Sequence, residues 1–221
     1  MSERTRIDLS HRIEAGMETY PGLPGPVVCD FLSRERSREL YQGQAEFEIE
    51  KIELVGNTGT YIDSPFHRFA DGIDISELPL ERIASVPGIV VRARGRTERG
   101  IGPDLLAGLD VAGRAVLLDT GWSAHWRTPD YFSGFPFLTR AGAEFLRDAG
   151  AALVGIESLN MDDMGDLSRP AHTILLGAGI PVVEHLRGLE ALPDAGFRFF
   201  AVPAPIKAVG TFPVRAFAEL H

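Results

Sequence analysis

The sequence is poor in the features that mark several protein classes. Cysteine occurs once, as Cys29, in 221 residues, which excludes an internal disulfide framework and any multi-cysteine zinc site. Positive charge is scarce, with Lys+Arg at 22 against 31 Asp+Glu and a net charge of −9. Such a surface repels phosphate backbones and no basic cluster offsets it, so no nucleic-acid partner is expected. No apolar run approaches the roughly 20 residues that span a bilayer. The opening MSERTRIDLS lacks the apolar core of a signal peptide. The expectation is a cytoplasmic protein with no membrane partner. Repeats, low-complexity tracts and linkers are missing as well, so 1–221 reads as a single domain.

Against these absences stand 44% apolar and 24% charged residues, ordinary for a globular chain. A chain of this length buries about 70% of its unfolded surface, enough for a full core without staples. The 24 Gly and 15 Pro are spread throughout, which implies many short elements with tight turns. In Glu46–Leu54 (EFEIEKIEL) Phe47 and Ile49 alternate with acids, then Ile52 and Leu54 do so in the opposite phase. The switch at Glu50-Lys51 predicts a bulge or the junction of two strands. Gly88–Arg94 and Arg114–Asp119 are further strand candidates. Thr139 is a plausible N-cap for a helix carrying Ala141, Phe145, Leu146 and Ala149, which Gly150 stops. A buried strand over Ala151–Ile156, a short helix over His185–Leu192 and a strand over Phe197–Val202 complete the reading. The expected fold is α/β, a single compact domain with a mixed, curled β-sheet and flanking helices.

The chemistry concentrates in Asn57–His67, NTGTYIDSPFH. In a regular strand Asn57 and Tyr61 would lie about 13 Å apart, too far to share one small site. The chain must bend, and Gly59 is where bending is cheapest. Pro65 then ends pairing ahead of His67. So many polar groups in an apolar sheet protein are costly to bury without a purpose. The plain alternative is a turn with an Asx-type hydrogen bond at Asp63.

This segment resembles the signature of the cyclase family, which includes bacterial kynurenine formamidases, isatin hydrolases and some lactone hydrolases. The family pattern is His-x-Gly-Thr-His-x-Asp-x-Pro-x-His, and Gly59-Thr60, Asp63, Pro65 and His67 match it. IDLSHRIEAGMETYPG (Ile7 to Gly22), LLDTGW (Leu117 to Trp122), LVGIESLNMDD (Leu153 to Asp163), Ala171 to Leu189 and Pro213 to Arg215 also fit, in order along almost the whole chain. The family's first two histidines are replaced by Asn57 and Tyr61. In the family those histidines and the aspartate hold a divalent metal, and a second metal uses the same aspartate with a later histidine and glutamate, here His172 and Glu184. The resemblance therefore implies Asp63, His172 and Glu184 as ligands for one zinc or manganese ion, a chemically adequate set.

A metal-free site would use the same residues. A carboxylate would orient His67 or His172 as a general base, while Tyr61 and Asn57 donate hydrogen bonds to substrate oxygen. The resemblance implies a hydrolase acting on a small amide, lactam or lactone. A metal-independent lyase, cyclase or isomerase, or a non-catalytic ligand-binding member, stays open. His67, Tyr61 and Asn57 are the candidate catalytic residues, and Trp122 and Phe66 the candidate substrate contacts. Arg169 reads as a partner for a substrate carboxylate or as a solvated loop residue. Glu157, Asp162 and Asp163 read as turn or capping residues, and His11 as structural. His185 should face away from its neighbour Glu184. The family also implies a homodimer or homotetramer.

Overall fold

Short strands broken by glycine and proline turns assemble in the computed structural model, which describes residues 5–220. Met1 to Arg4 of the N-terminal reading and both ends of the 1–221 span lie outside them. In chain order the elements are β1 (Arg6–Asp8), β2 (Val27–Leu32), α1 (Arg34–Leu40), β3 (Ile49–Glu53), β4 (Tyr61–Asp63), α2 (Leu80–Ile83), β5 (Val86–Arg92), β6 (Gly100–Ile101), α3 (Pro103–Leu106), β7 (Ala115–Asp119), β8 (Phe137–Leu138), α4 (Arg140–Asp148), β9 (Leu153–Ile156), α5 (Pro170–Gly177), β10 (Val182–Glu184), β11 (Ala195–Phe200), β12 (Thr211–Pro213) and β13 (Phe217–Leu220). Nine strands form one curled sheet in the order β1-β13-β11-β5-β7-β9-β10-β4-β12. The run β5-β7-β9-β10 is parallel and both flanks are antiparallel, so the sheet is mixed as expected.

The central strands are covered on both faces. In β7, Leu117 joins one apolar core with Val90, Val183 and Phe197, while Val116 and Leu118 join the other with Leu146 of α4 and Leu175 of α5. Such strands read as continuous apolar runs rather than alternating ones. The α4 reading holds: Thr139 Oγ1 accepts from the Gly142 N–H at 3.1 Å, and Gly150 takes φ +77°. No helix among the described residues is long and apolar enough to cross a membrane.

Three expectations change. The segment 185–192 is not a helix: His185 has φ +56°, Leu186 bridges to Ser10, and only a one-turn 3-10 helix, Leu189–Ala191, forms. A left-handed residue at the start prevents the helical register. The strand within 46–54 shortens to β3, which pairs with β2 in a separate two-stranded ribbon exposed along its length. The register irregularity lies on its partner, between Asp30 and Leu32. Finally, α5 was not foreseen.

Candidate active site

The predicted bend is present. Gly59 takes φ +65°, β4 carries Tyr61–Asp63, and Pro65–His67 forms a one-turn 3-10 helix. In β4, Ile62 enters an apolar core, so Tyr61 and Asp63 face the opposite side. Register then supplies their neighbours. Glu184 of β10 stands opposite Tyr61, and Thr211 of β12 stands opposite Asp63. His172 comes from α5, the helix between β9 and β10 in the chain.

Asp162 caps α5, accepting from Ala171 N–H at 2.6 Å and His172 N–H at 3.1 Å. The same carboxylate accepts from His172 Nδ1 at 2.6 Å. That bond fixes the ring so that Nε2 faces Glu184 Oε1 at 3.4 Å and Asp63 Oδ2 at 3.6 Å. Thr211 fixes the other histidine. Its hydroxyl donates to Asp63 Oδ1 and lies 2.8 Å from His67 Nδ1. A hydroxyl has one proton and an ionised carboxylate only accepts, so His67 Nδ1–H donates to Thr211 Oγ1 and leaves Nε2 its lone pair.

Charge in the pocket is strongly coupled. Burial would lower the His172 pKa, but Glu184, Asp162 and Asp63 outweigh it and raise it to about 10. These carboxylates therefore draw positive charge strongly. Burial likewise opposes ionisation of Asp63, yet His67, His172 and Thr211 hold its pKa below the usual carboxylate range. Burial raises Glu184 to about 7 against the pull of His172. Burial, Glu184 and Asp63 push the Tyr61 phenol well above its ordinary value, so Tyr61 is a neutral donor.

The arrangement suits a divalent cation. Asp63 Oδ2 is fully buried and has no hydrogen-bond partner, and such an oxygen calls for an unseen group. Asp63, His67 and His172 each present a ligand atom within 4.8 Å of the others. Two imidazoles and a carboxylate suit zinc or manganese, and both histidines carry the outer hydrogen bonds that metal-ligating histidines need. Glu184, expected in the ligand set, lies next to this group, its Oε1 3.4 Å from His172 Nε2. Its Oε2 accepts from Tyr61 OH at 2.5 Å and its Oε1 from Met161 N–H at 2.5 Å. His67, expected as a catalytic residue, is the third member of this candidate group.

Other assignments sort similarly. A cleft of about 320 Å³ is lined by Asn57, Tyr61, His67, His172 and Glu184, together with Tyr20, Asn160, Arg68 and Arg169. Tyr61, expected to donate to substrate oxygen, lines the cleft with its OH donating to Glu184 Oε2. Trp122 and Phe66 do not line the cleft. Trp122 packs with Tyr131, Phe135 and Leu159, its Nε1 donating to Tyr131 O at 3.0 Å. Phe66 is half-buried in the turn, its N–H bonded to Ile73 O at 3.0 Å. Sequence reasoning missed Thr211 and the orienting role of Asp162. A lone threonine 148 residues from Asp63 gives no sequence signal. Asp162 lies ten residues from His172, and α5 had to be known before the two could be joined.

Residues 7–163 match the Cyclase family, described as "Putative cyclase". The chain belongs to the cyclase family. This cyclase-family chain is 27% identical over 212 residues to the kynurenine formamidase of Geobacillus thermodenitrificans, covering 95% of each chain. The kynurenine formamidase of Bacillus anthracis is also 27% identical, with 95% coverage of both. Among solved structures, isatin hydrolase A from Labrenzia aggregata superposes with a TM-score of 0.85 at 22% identity, over 98% of this chain and 94% of that one. A predicted metal-dependent hydrolase from Bacillus stearothermophilus gives 0.75 at 25% identity, over 99% of each.

Proposed function

We propose that this cyclase-family protein is a hydrolase that opens the C–N bond of a small amide, open-chain or cyclic. Supporting this reading is the meeting of His67, His172 and Glu184 in the lining of a cleft whose volume suits a small ligand, with Asp63 buried in contact with both histidines. Its relatives include enzymes named kynurenine formamidase and isatin hydrolase. In the reaction, water adds to the carbonyl carbon, the C–N bond breaks, and an acid and an amine form. Asp63, His67 and His172 would hold a divalent cation, which when bound supplies a Lewis acid and lowers the pKa of water. Asp162 and Thr211 hold the two imidazoles in the tautomer that offers Nε2. Glu184 lies against the reacting end of the cleft, oriented by Tyr61 OH and Met161 N–H. It accepts the proton of the attacking water and returns it to the leaving nitrogen. Asn57 offers a neutral amide toward substrate oxygen.

The test is turnover of aryl formamides, cyclic imides and lactones by protein supplied with zinc or manganese. Glu184→Gln should lower turnover by about 10²-fold or more while keeping the cation; His67→Ala should lose both. No turnover of any amide would overturn the reading, and turnover unaffected by Glu184→Gln would remove that residue's role.

The β2–β3 ribbon supports a homodimer or homotetramer. Val27, Val28, Phe31, Ile49 and Ile52 are exposed on it, and a lone two-stranded ribbon is marginal in water. Light scattering at micromolar concentration should give a multiple of the 24.1 kDa chain mass; a monomer would contradict this.

A further inference from the structure

Tyr20 and Arg169, which both line the cleft, turn donors onto a single sulfur atom. Tyr20 OH donates to Met164 Sδ at 2.8 Å, and Arg169 Nη1 donates to it at 3.1 Å. Burial raises the pKa of the Tyr20 phenol, so its proton stays in place to be donated. The phenol oxygen in turn accepts from Asn160 Nδ2 at 3.5 Å and from the Arg169 side chain. Arg169 Nη1 also reaches Asp163 O, at 3.4 Å. The backbone of Arg169 is held at φ +47°, ψ +60°, a conformation a non-glycine residue adopts at a cost. A thioether is only a weak acceptor, so a phenol and a guanidinium aimed at it are poorly satisfied. Met164 is half-buried, whereas Met17 and Met161 are 6% and 0% exposed.

We infer that Met164 is a site of oxidation by peroxide, its sulfoxide held by Tyr20 and Arg169. In the step a sulfur lone pair attacks one peroxide oxygen and the O–O bond breaks. The proton on the transferred oxygen passes to the departing hydroxide, so methionine sulfoxide and water form. Sulfur gives up an electron pair and the peroxide takes it. Oxidation of a packed methionine ordinarily disrupts its surroundings, because an apolar side chain becomes polar. At Met164 the new oxygen is a strong acceptor, and it arrives where two donors already point. The sulfoxide draws Tyr20 and Arg169 onto the loop and so takes both away from a ligand in the cleft. This inference is independent of which bond the cleft opens.

The experiment uses the full chain carrying Cys29→Ser, because Cys29 is a free, exposed thiol that peroxide would also attack. The protein is treated with dilute hydrogen peroxide, and the oxygen gained at each methionine is followed by peptide mass spectrometry. Met164 should be oxidised about tenfold faster than Met17 and Met161, or more. Melting curves are taken at the stage where Met164 alone is converted. The Tm of the oxidised parent should not fall below that of the reduced parent. In Tyr20→Phe and Arg169→Gln oxidation should lower Tm, by about 2–4 °C for each hydrogen bond the sulfoxide lacks. Oxidation at Met164 no faster than at Met17, a parent Tm that falls on oxidation, or variants that keep theirs would each overturn the inference. Should one variant fail to fold, the other and the parent decide it.

Discussion

The phenol of Tyr61 donates to Glu184 Oε2 at 2.5 Å in a place closed to solvent, with Tyr61 at 0% and Glu184 at 1% exposure. Register makes the pair, since the two residues stand opposite each other on β4 and β10. Tyr61→Phe would leave a buried carboxylate oxygen without its donor, at about 1–3 kcal/mol. For a chain of this length that lowers Tm by roughly 2–12 °C. Turnover should fall as well, by up to about a hundredfold, because Glu184 loses its orientation. A melting curve and steady-state kinetics on Tyr61→Phe check both, and wild-type values in both would show that the bond does nothing.

Thr211 should matter through the cation and not only through packing. Thr211→Val keeps the shape and removes the hydroxyl that links Asp63 to His67, so zinc affinity should drop about 10–100-fold. Thr211→Ser should retain most of it. Calorimetric zinc titration of the three proteins separates the cases; equal affinities for valine and serine would refute the linking role.

Gly56 guards the same contact from behind. A Cβ there would sit 2.2 Å from Thr211 O, a backbone atom that can retreat only by moving β12. Gly56→Ala is therefore expected to lower Tm and weaken zinc binding together. A variant that melts early yet binds zinc normally would uncouple β12 from the site.

Acid should unfold the protein partly through His11. Burial, aided by Arg187, lowers its pKa from 6.5 to about 3, and its ring stacks on Trp126 with centroids 3.9 Å apart. A group with a depressed folded pKa contributes stability above its unfolded value, and that stability is lost as pH falls. The loss runs from about pH 6.5 down toward 3. His11→Phe keeps the stacking without the titration. Urea unfolding at several pH values should show a shallower fall below pH 6.5 in the variant, by up to about 1.4 kcal/mol per pH unit. Parallel slopes would exclude His11.

What the sequence revealed was local, and what it hid was remote. Asp63 and His67 were legible because one bend at Gly59 and one stop at Pro65 place them, and both signals lie within the same eleven residues. The α4 helix was legible from an N-cap, a spaced apolar face and a terminal glycine. By contrast α5, PAHTILLG, is apolar nearly all round, so no face announced a helix, and its cap Asp162 lies outside it in the preceding loop. The 185–192 segment carried spaced leucines, yet the left-handed His185 directs them into loop packing. Thr211 reaches the site through strand register, which pairs it with Asp63 148 residues away, and no single sequence encodes that pairing in a readable form; Glu184, also brought in by register, was legible only through the family resemblance. The hydrogen-bond partners of His67 and Glu184 were likewise out of reach of the sequence.

The most direct measurement is the zinc or manganese content of intact wild-type and His172→Ala protein, taken together with hydrolysis of an aryl formamide. One ion per wild-type chain is expected, with both ion and turnover lost in the variant and turnover lost on adding chelator. Full cation content in His172→Ala, or hydrolysis at an undiminished rate under chelator, would contradict a centre built on Asp63, His67 and His172.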